Sequence, residues 1–205
     1  MIYISIDLET TGLDPDTCQI LEFGAVLEDT NNIKPLDELP TYHAYIKHPG
    51  GNISGNIYAL DLNKEIISNL KNEKDLKDKY NFIKVEDLAD DFLAWCKIQG
   101  LEIKENTYDN KTNYSCTINV AGKNFAGFDR KFLENVPDFT KKIRMRQRVI
   151  DPAILFIDWE NDTSAPHLEL CKQRADISGI VTHLAVDDAM DVIKLLRTQY
   201  ANRPN

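Results

Sequence analysis

Several features that would mark a membrane or secreted protein are missing from this chain. It has no apolar stretch close to the roughly 20 residues that a membrane-spanning helix needs. No basic segment precedes the apolar N-terminal run, so the N-terminus is not typical of a secretory signal peptide. Cysteine is scarce and widely spaced, without a CxxC pair: Cys18, Cys96, Cys116 and Cys171. These absences predict a cytoplasmic protein with reduced, partly buried thiols, and they leave a structural zinc or a disulfide as the weaker alternative.

The composition is that of a globular domain. Hydrophobic residues make up 42% of the 205 residues and charged residues 28%, which excludes a disordered or fibrous protein. We find no internal repeat, no low-complexity tract and no linker. We therefore expect one domain over residues 1–201, with 202–205 as a C-terminal tail. No phosphate-cradling glycine loop is present, which argues against a general nucleotide-binding protein.

Acidic residues are in excess, but unevenly so. The net charge of −9 argues against a protein that coats duplex DNA by charge alone. It does not exclude a nuclease, since an acidic metal site contributes several of these charges itself. Residues 123–148 are locally basic, with eight Lys and Arg residues against three acids. This stretch is either a solvated helix face or a place where phosphates approach, and the sequence leaves both open.

The apolar pattern predicts strands first and alternating helices and strands later. Residues 2–7, 19–27 and 42–47 indicate an antiparallel meander. Helical spacing predicts a short helix near 64–70, an amphipathic helix over 85–98, a short helix after Asn124 and a last helix over 185–200. Further strands are expected at 101–108, at 113–121 after a turn at 109–112, and at 147–150, with 116–121 as a central strand. The predicted fold class is α/β, a mixed sheet (antiparallel meander plus parallel strands) flanked by helices.

The most informative segment is Asp7-Leu8-Glu9-Thr10-Thr11-Gly12-Leu13, at the end of the first strand. Residues two apart on a strand share a face, so Asp7 and Glu9 point the same way. Two neighbouring carboxylates repel each other, and a hard divalent cation such as Mg²⁺ relieves that repulsion. Gly12 allows a sharp turn beside such a site. Taken alone, the pattern also fits a solvated edge strand with two ordinary acids.

Three further residues lie where a site on a sheet would need them. Asp129 follows the 116–121 strand, and ligands of open α/β sheets gather at the carboxyl ends of strands. His183 is expected on a loop before the last helix, with Asp188 in the first turn or two of that helix. Each has an ordinary alternative: Asp188 as an acid favoured by the helix macrodipole, and His183 as a surface histidine.

In this order, the segments resemble the DEDDh family of 3′→5′ exonucleases, the DnaQ-like group that includes polymerase proofreading subunits and oligoribonucleases. The first family motif resembles the segment from Asp7 to Leu13. The second resembles Asn124-Phe125-Ala126-Gly127-Phe128-Asp129-Arg130, and the third, His-x₄-Asp, resembles His183 to Asp188. The resemblance extends from residue 1 to about residue 199.

The resemblance implies a ribonuclease H-like fold and phosphodiester hydrolysis with two Mg²⁺ ions, for which Mn²⁺ can substitute. Two cations about 3.5–4 Å apart stabilise both the attacking and the leaving oxygen. By motif, Asp7 would bridge both metals, while Glu9 and Asp188 complete the site that holds the nucleophilic water. Asp129 would hold the second metal through water, and His183 would be the general base.

The same resemblance implies a grip on the terminal nucleotide. Its candidates are Leu13 as an apolar wedge, the backbone around Thr10, and the further residues Leu8, Thr11, Lys123, Asn124 and Phe128. Many family members carry His-Asn where this chain has Lys123-Asn124, which puts details of strand contact in doubt but not catalysis. The remaining histidines (His43, His48 and His167) match no motif and are interpreted as structural or exposed.

Aromatic residues near the motifs are expected to be structural. Phe125, Phe128 and Phe132 are interpreted as core residues in preference to base-stacking ones. Trp159 lies in an acidic, turn-like stretch, and a partly buried loop tryptophan is favoured there over a ring that stacks on a base.

The expected activity is 3′→5′ hydrolysis of single-stranded DNA or RNA to 5′-mononucleotides. The family resemblance leaves a polymerase or another replication protein open as a partner, and no membrane is expected. Alternatives are an oligoribonuclease, an enzyme that trims RNA 3′ ends, and a catalytically silent scaffold or polymerase-associated subunit. A scaffold has no physical need for five converging titratable groups. The sequence separates neither DNA from RNA nor a monomer from an oligomer.

Overall fold

The computed structural model describes residues 1–108, 111–179 and 181–201. Two sheets organise these residues. Five strands form the larger sheet in the order β4-β3-β2-β1-β7: β1 (Ile2–Thr10), β2 (Ile20–Asp29), β3 (Thr41–Lys47), β4 (Phe82–Lys84) and β7 (Val120–Ala121). The smaller sheet has the order β5-β6-β8 and contains β5 (Ile103–Tyr108), β6 (Lys111–Ile118) and β8 (Ile143–Met145).

Strand pairing confirms the predicted mixed sheet. β1 pairs with β2, and β2 with β3, in antiparallel fashion, so the first three strands form the expected meander. β7 joins β1 and β4 joins β3 in parallel. The register between β1 and β2 shifts after Glu9, which bends the end of β1 where the acidic motif begins.

Helices pack around both sheets. They are α1 (Ile57–Leu62), α2 (Lys64–Lys71), α3 (Glu73–Leu76), α4 (Leu88–Ile98), α5 (Asp129–Asn135), α6 (Phe139–Lys142), α7 (Leu168–Arg174) and α8 (Ala185–Arg197). The predictions of α2, α4 and α8 are confirmed. Over the part of the chain that the structure describes, every helix is too short or too polar to cross a membrane.

The two faces of β1 contribute to different hydrophobic clusters. Ile4, Ile6 and Leu8 pack with Leu88 and Phe92 of α4. On the opposite face, Tyr3 packs with a row of apolar residues from α8, namely Ala189, Val192, Ile193 and Leu196. Burying one such aliphatic or aromatic side chain contributes about 1.5–3 kcal/mol. Because side chains alternate along a strand, Asp7 and Glu9 lie on the face that α8 covers.

The prediction of one central strand over 116–121 is wrong. The chain divides at Asn119: β6 before it is the middle strand of the small sheet, and β7 after it forms only a short parallel pair with β1. The Asn119 carbonyl accepts a hydrogen bond from the Ile4 amide (2.9 Å), and its Nδ2 donates to the Ile2 carbonyl (2.8 Å). The β-prone pattern of residues 116–121 does not show where the chain passes from one sheet to another.

Two other boundaries differ from the prediction. The strand expected at 147–150 lies earlier, at β8, and only Ile150 forms a bridge, to Ala121. The helix expected directly after Asn124 begins at Asp129, because Asn124 adopts a left-handed φ of 56° and the chain turns before the helix starts.

Some expectations lie at or beyond the limits of the structure. Residues 109 and 110 of the predicted turn and the tail at 202–205 fall outside the described residues, while 111–112 belong to β6. Besides α2, the segment between β3 and α4 contains α1, α3 and β4, which were not predicted. All four cysteines are free, three of them buried and Cys18 half-buried.

Candidate active site

The end of β1 places two acids beneath α8. Glu9 is 8% exposed and Asp7 is partly buried. Across the antiparallel pair, Asp7 lies opposite Gly24 and Glu9 opposite Glu22. Leu8, between the two acids, points into the core on the other face and fixes their orientation. The prediction that both carboxylates share a face agrees with this register.

Asp129 reaches the same place from the other side of β1. β7 ends at Ala121, so the Leu8 amide extends beyond the last strand residue that could pair with it. The Asp129 carboxylate accepts this N–H at 3.0 Å through Oδ1. A buried amide without a partner is costly, so this hydrogen bond holds Asp129, at the start of α5, against the strand that carries Asp7.

A seat on β2 positions the N-terminus of α8. Gly24 lets the helix approach closely, because a Cβ there would lie 2.3 Å from the Ala185 carbonyl carbon. Beside it, the Ala185 amide donates to Glu22 Oε2 at 3.0 Å, while Glu22 Oε1 lies 2.6 Å from His43 Nε2. This seat brings Asp188, in the first turn of α8, over Glu9.

Glu22 and Gly24 were not predicted as parts of the site. The available signal was an acid and a glycine two residues apart within an apolar strand, a position where neither residue type is favoured.

His183 completes the cluster from the loop before α8. Its side chain is exposed and its φ is 54°, an uncommon conformation for a residue other than glycine. Ligand atoms of Glu9, His183 and Asp188 all lie within 4.8 Å of one another. Among the described residues, the buried Asp188 Oδ1 has no hydrogen-bond partner. Asp7 and Asp129 are not part of this group of three.

Burial disfavours the ionisation of the acids of the site, and repulsion from neighbouring acids adds to this effect for Asp7 and Glu9. Burial, followed by the charges of Asp129 and Glu9, raises the pKa of Asp7 well above its ordinary value. Burial and the neighbouring Asp188 raise the pKa of Glu9 to about 8, although a hydrogen bond from Asn63 opposes the shift. Burial also raises the pKa values of Asp129 and Asp188 to about 7 each. A divalent cation would offset this repulsion, and a set of carboxylate oxygens suits Mg²⁺ or Mn²⁺.

A cleft of about 790 Å³ opens beside Glu9. Four predicted substrate-binding residues line it: Leu8, Thr10, Leu13 and Phe128. Leu13 is 84% exposed, so its side chain is available to a ligand. The opposite wall, which the sequence analysis did not foresee, comes from α1 and its flanks and includes Asn56, Tyr58, Leu62 and Asn63. The cleft therefore joins apolar surface to the acidic cluster.

Three predicted substrate-binding residues do not line this cleft. Thr11 is fully buried, and its hydroxyl accepts a hydrogen bond from the Gln19 amide at 2.8 Å. Asn124 is exposed, and its amide donates to Asp151 Oδ2 at 2.8 Å. Lys123 is half-buried. These contacts give Thr11 and Asn124 roles in shaping the loops around the site.

Some of the predictions for aromatic residues and histidines agree with the structure, and others do not. Phe125 and Phe132 are buried as predicted, whereas Phe128 is only half-buried. The prediction of a partly buried Trp159 is wrong, because the residue is 77% exposed. His43, His48 and His167 have structural contacts, to Glu22, to the Ile20 carbonyl and to the Leu170 amide respectively.

Comparisons with known proteins identify the family and the fold of this chain. A family model, RNase_T, described as an exonuclease, matches residues 4–196. No curated protein matches the chain.

Similar solved structures include E. coli exonuclease I in complex with a dT13 oligonucleotide (14% identity, TM-score 0.62, covering 97% of this chain and 41% of that chain). Exonuclease I from Methylocaldum szegediense is also similar (15% identity, TM-score 0.56, covering 98% of this chain and 41% of that chain). A third similar structure is that of cell-death related nuclease 4 (16% identity, TM-score 0.57, covering 96% of this chain and 62% of that chain). At these identities the likeness shows a shared ribonuclease H-like fold, and this chain spans about two fifths of the exonuclease I chains.

Proposed function

The chain belongs to the exonuclease family, whose model covers nearly all of it, and we propose on this basis that it removes 5′-mononucleotides from the 3′ end of single-stranded nucleic acid. The observation that carries the proposal is the convergence of acids from three separate elements beside one cleft. β1 supplies Asp7 and Glu9, α5 supplies Asp129, and α8 supplies Asp188. We also propose that residues 1–201 act as one exonuclease domain.

The acids fit a pair of divalent cations. Bound Mg²⁺ or Mn²⁺ would lower the pKa of a coordinated water and offset negative charge on the phosphodiester. Asp7 would contact both ions, Glu9 and Asp188 would hold one of them, and Asp129 would hold the other. The unpartnered Asp188 Oδ1 supports this fit. Asp129 uses Oδ1 for the Leu8 amide, which leaves Oδ2 for a water-mediated contact.

His183 is assigned as the general base. Its ring lies beside Glu9 and Asp188, where a water destined to attack the phosphate would be held. Because the side chain is exposed, the imidazole can pass the proton that it accepts to solvent. The Asp188 carboxylate, five residues later in the first turn of α8, would orient the imidazole and the water.

The cleft is assigned to the terminal nucleoside. Leu13 and Phe128 offer apolar contact to its base, and Asn56 and Asn63 offer polar groups nearby. A single-stranded substrate is supported by the likeness to exonuclease I bound to a dT13 oligonucleotide. Neither of these observations distinguishes DNA from RNA, so the test uses both.

The test is cleavage of 5′-labelled single-stranded DNA and RNA with Mg²⁺, with Mn²⁺ and with EDTA. We expect the labelled strand to shorten stepwise from its 3′ end, and EDTA to stop the reaction. Asp7→Ala should lower the rate on the order of a thousandfold. The matched control is Asp37→Ala, which removes an exposed acid far from the motifs. Wild type that cleaves neither polymer, or an Asp7→Ala variant as active as the control, would overturn the assignment.

A further inference from the structure

Trp159 is an exposed aromatic residue that the catalytic site does not use. The residue is 77% exposed, although tryptophan is usually well buried. In the preceding 3₁₀ helix (Pro152–Phe156), Ile154 and Leu155 are 58% and 40% exposed. An apolar surface presented to water in this way is a candidate binding surface.

The turn that carries Trp159 is held by its own polar groups. The Asp158 carboxylate accepts hydrogen bonds from the Glu160 amide (3.1 Å) and from Asn161 Nδ2 (2.7 Å). The Asp162 amide donates to the Asp158 carbonyl at 2.8 Å, and the Asp158 amide donates to Asp162 Oδ2 at 3.0 Å. The exposed ring is therefore presented by a fixed backbone, which lowers the entropic cost of binding a ligand.

Helix α7 anchors the same turn. Arg174 forms a bidentate ion pair with the Asp162 carboxylate, with Nη2 lying 2.7 Å from Oδ1. Its Nη1 also donates to the Phe156 carbonyl at 2.6 Å. This pair also lowers the pKa of Asp162 to about 2. Arg174 thus balances the charge of Asp162, whereas Asp158 accepts hydrogen bonds from uncharged amides and keeps its negative charge.

The turn belongs to a segment tied to the catalytic elements at both ends. Asp151, just before it, accepts the Asn124 amide of the second motif. After the turn, the chain continues through α7 toward His183. Three exposed arginines precede the segment: Arg144, Arg146 and Arg148. An exposed aromatic ring on a fixed turn is the kind of group on which unpaired bases stack.

We propose that Trp159 is a stacking platform for an unpaired base of the substrate strand, outside the catalytic cleft. The proposal rests on the proposed function, which supplies a single-stranded ligand. Stacking on an aromatic ring tolerates every base, so the platform would hold the strand without reading its sequence. It would strengthen the binding of strands long enough to reach beyond the cleft.

Intrinsic fluorescence tests the platform without catalysis. The chain has two tryptophans, and Trp95 packs against Tyr42 and Phe92 with its Nε1 donating to the Thr41 carbonyl. In EDTA, oligothymidylate and oligouridylate should quench the emission of wild type and of Trp95→Phe, because a stacked base quenches indole. The Trp159→Phe variant should show no such quenching. Trp159→Ala should weaken binding of the same oligonucleotides, followed by anisotropy, about tenfold.

Stacking also has a distinct salt dependence. The ratio between the dissociation constants of wild type and Trp159→Ala should stay constant as salt increases, because stacking releases no counterions. Quenching that persists in Trp159→Phe would overturn the platform. Oligonucleotide binding without quenching in wild type would also overturn it, and would favour a protein partner for this surface. Cleavage without quenching overturns the platform alone. Quenching without cleavage supports the platform and counts against the proposed nuclease activity.

Discussion

Single residues of the site share one electrostatic problem. Four carboxylates lie close together in a buried place, and burial is the largest cause of the raised pKa in each of them. Glu22, the neighbour of Glu9 across the sheet, adds a further charge that raises the pKa values of Asp7 and Glu9. In the absence of a cation the folded state therefore favours protonated acids, and ionising them lowers the stability of the fold.

This effect predicts a pH dependence of the metal-free protein. The folded pKa values of Glu9 and Asp188, about 8 and about 7, lie above their ordinary values. Between the ordinary and the folded pKa of each group, the folded state therefore binds more protons than the unfolded state. Stability should therefore be greatest near pH 5 and fall as pH rises to about 8, by several degrees in Tm, at roughly 2–4 °C for each kcal/mol. Calorimetry in EDTA measures this, and Mg²⁺ should restore Tm most at the alkaline end.

Asp188→Asn is the matched control for the pH profile. It removes one of the ionising groups and keeps the side-chain shape, so its Tm in EDTA should depend less on pH. A profile identical to that of wild type would show that the raised pKa of Asp188 does not control stability.

The role of His183 can be separated from that of the acids. His183→Ala should keep most of the affinity for Mn²⁺ but lower turnover by about 10²–10⁴-fold, because a general base is removed and the carboxylates stay. Titration calorimetry and single-turnover rates measure the two effects. Thr182→Ala, a change in the exposed neighbour, is the control. A large decrease in metal affinity would make His183 a ligand, which its distance from Glu9 and Asp188 permits.

At the scale of elements, the position of α8 decides whether the site exists. Gly24 and Glu22 hold its N-terminus on the sheet. Farther along, a buried ion pair joins Lys172 of α7 to Asp191 of α8, with both side chains almost fully buried. The segment between these two helices carries His183, so the pair also fixes the span of that segment.

The buried pair gives a prediction of stability. Asp191→Leu should lower the free energy of unfolding by about 3–5 kcal/mol, because it removes the carboxylate that balances the buried ammonium of Lys172. Adding Lys172→Met to this variant should recover most of that stability. Lys194, the second cation that pairs with Asp191, has a side chain that is 34% exposed. Lys194→Met should therefore lower the free energy of unfolding by less than about 1 kcal/mol. Urea unfolding measures all three, and a double variant no more stable than Asp191→Leu would contradict the argument.

Local patterns predicted most elements but not their meeting points. The apolar run of β1 comes from burial on both of its faces, and the helical spacing of α8 comes from burial on one face. The sequence records such burial directly. The transfer of the chain between sheets at Asn119 depends on contacts with Ile2 and Ile4, which lie more than 100 positions away. The three motifs are visible in the sequence, whereas the contact between α8 and Gly24 and the cleft wall at Tyr58 arise only after the chain has folded.

At the scale of the whole molecule, the question is how an acidic protein meets a polyanion. Several cations of the basic stretch are neutralised by ion pairs, among them Arg130 with Glu134 and Lys142 with Asp90. Arg144, Arg146 and Arg148 are exposed and, within the described residues, form no ion pair. They are three of the cations in this stretch that could meet phosphates, and substitution separates that interpretation from a solvated face.

The salt dependence of binding tests these arginines. Replacing Arg144, Arg146 and Arg148 by Ala together should weaken oligonucleotide binding and reduce the slope of log K against log salt by up to about 2, at about 0.7 for each phosphate that is no longer neutralised. The control replaces three exposed lysines, Lys64, Lys74 and Lys77, and changes the net charge equally. Anisotropy titrations at several salt concentrations measure both. Equal slopes for the two variants would identify the arginines as a solvated face.

The hydrogen bond from the Leu8 amide to Asp129 ties one backbone proton to the charge state of the site. Leu8 itself is a core residue, so its amide is sheltered from bulk water and from most of what happens at the surface. Its nuclear magnetic resonance signal should therefore move when the carboxylate gains a proton or shares its charge with a cation. The strand that carries the acids thus contains its own spectroscopic indicator, which can be followed without altering any residue.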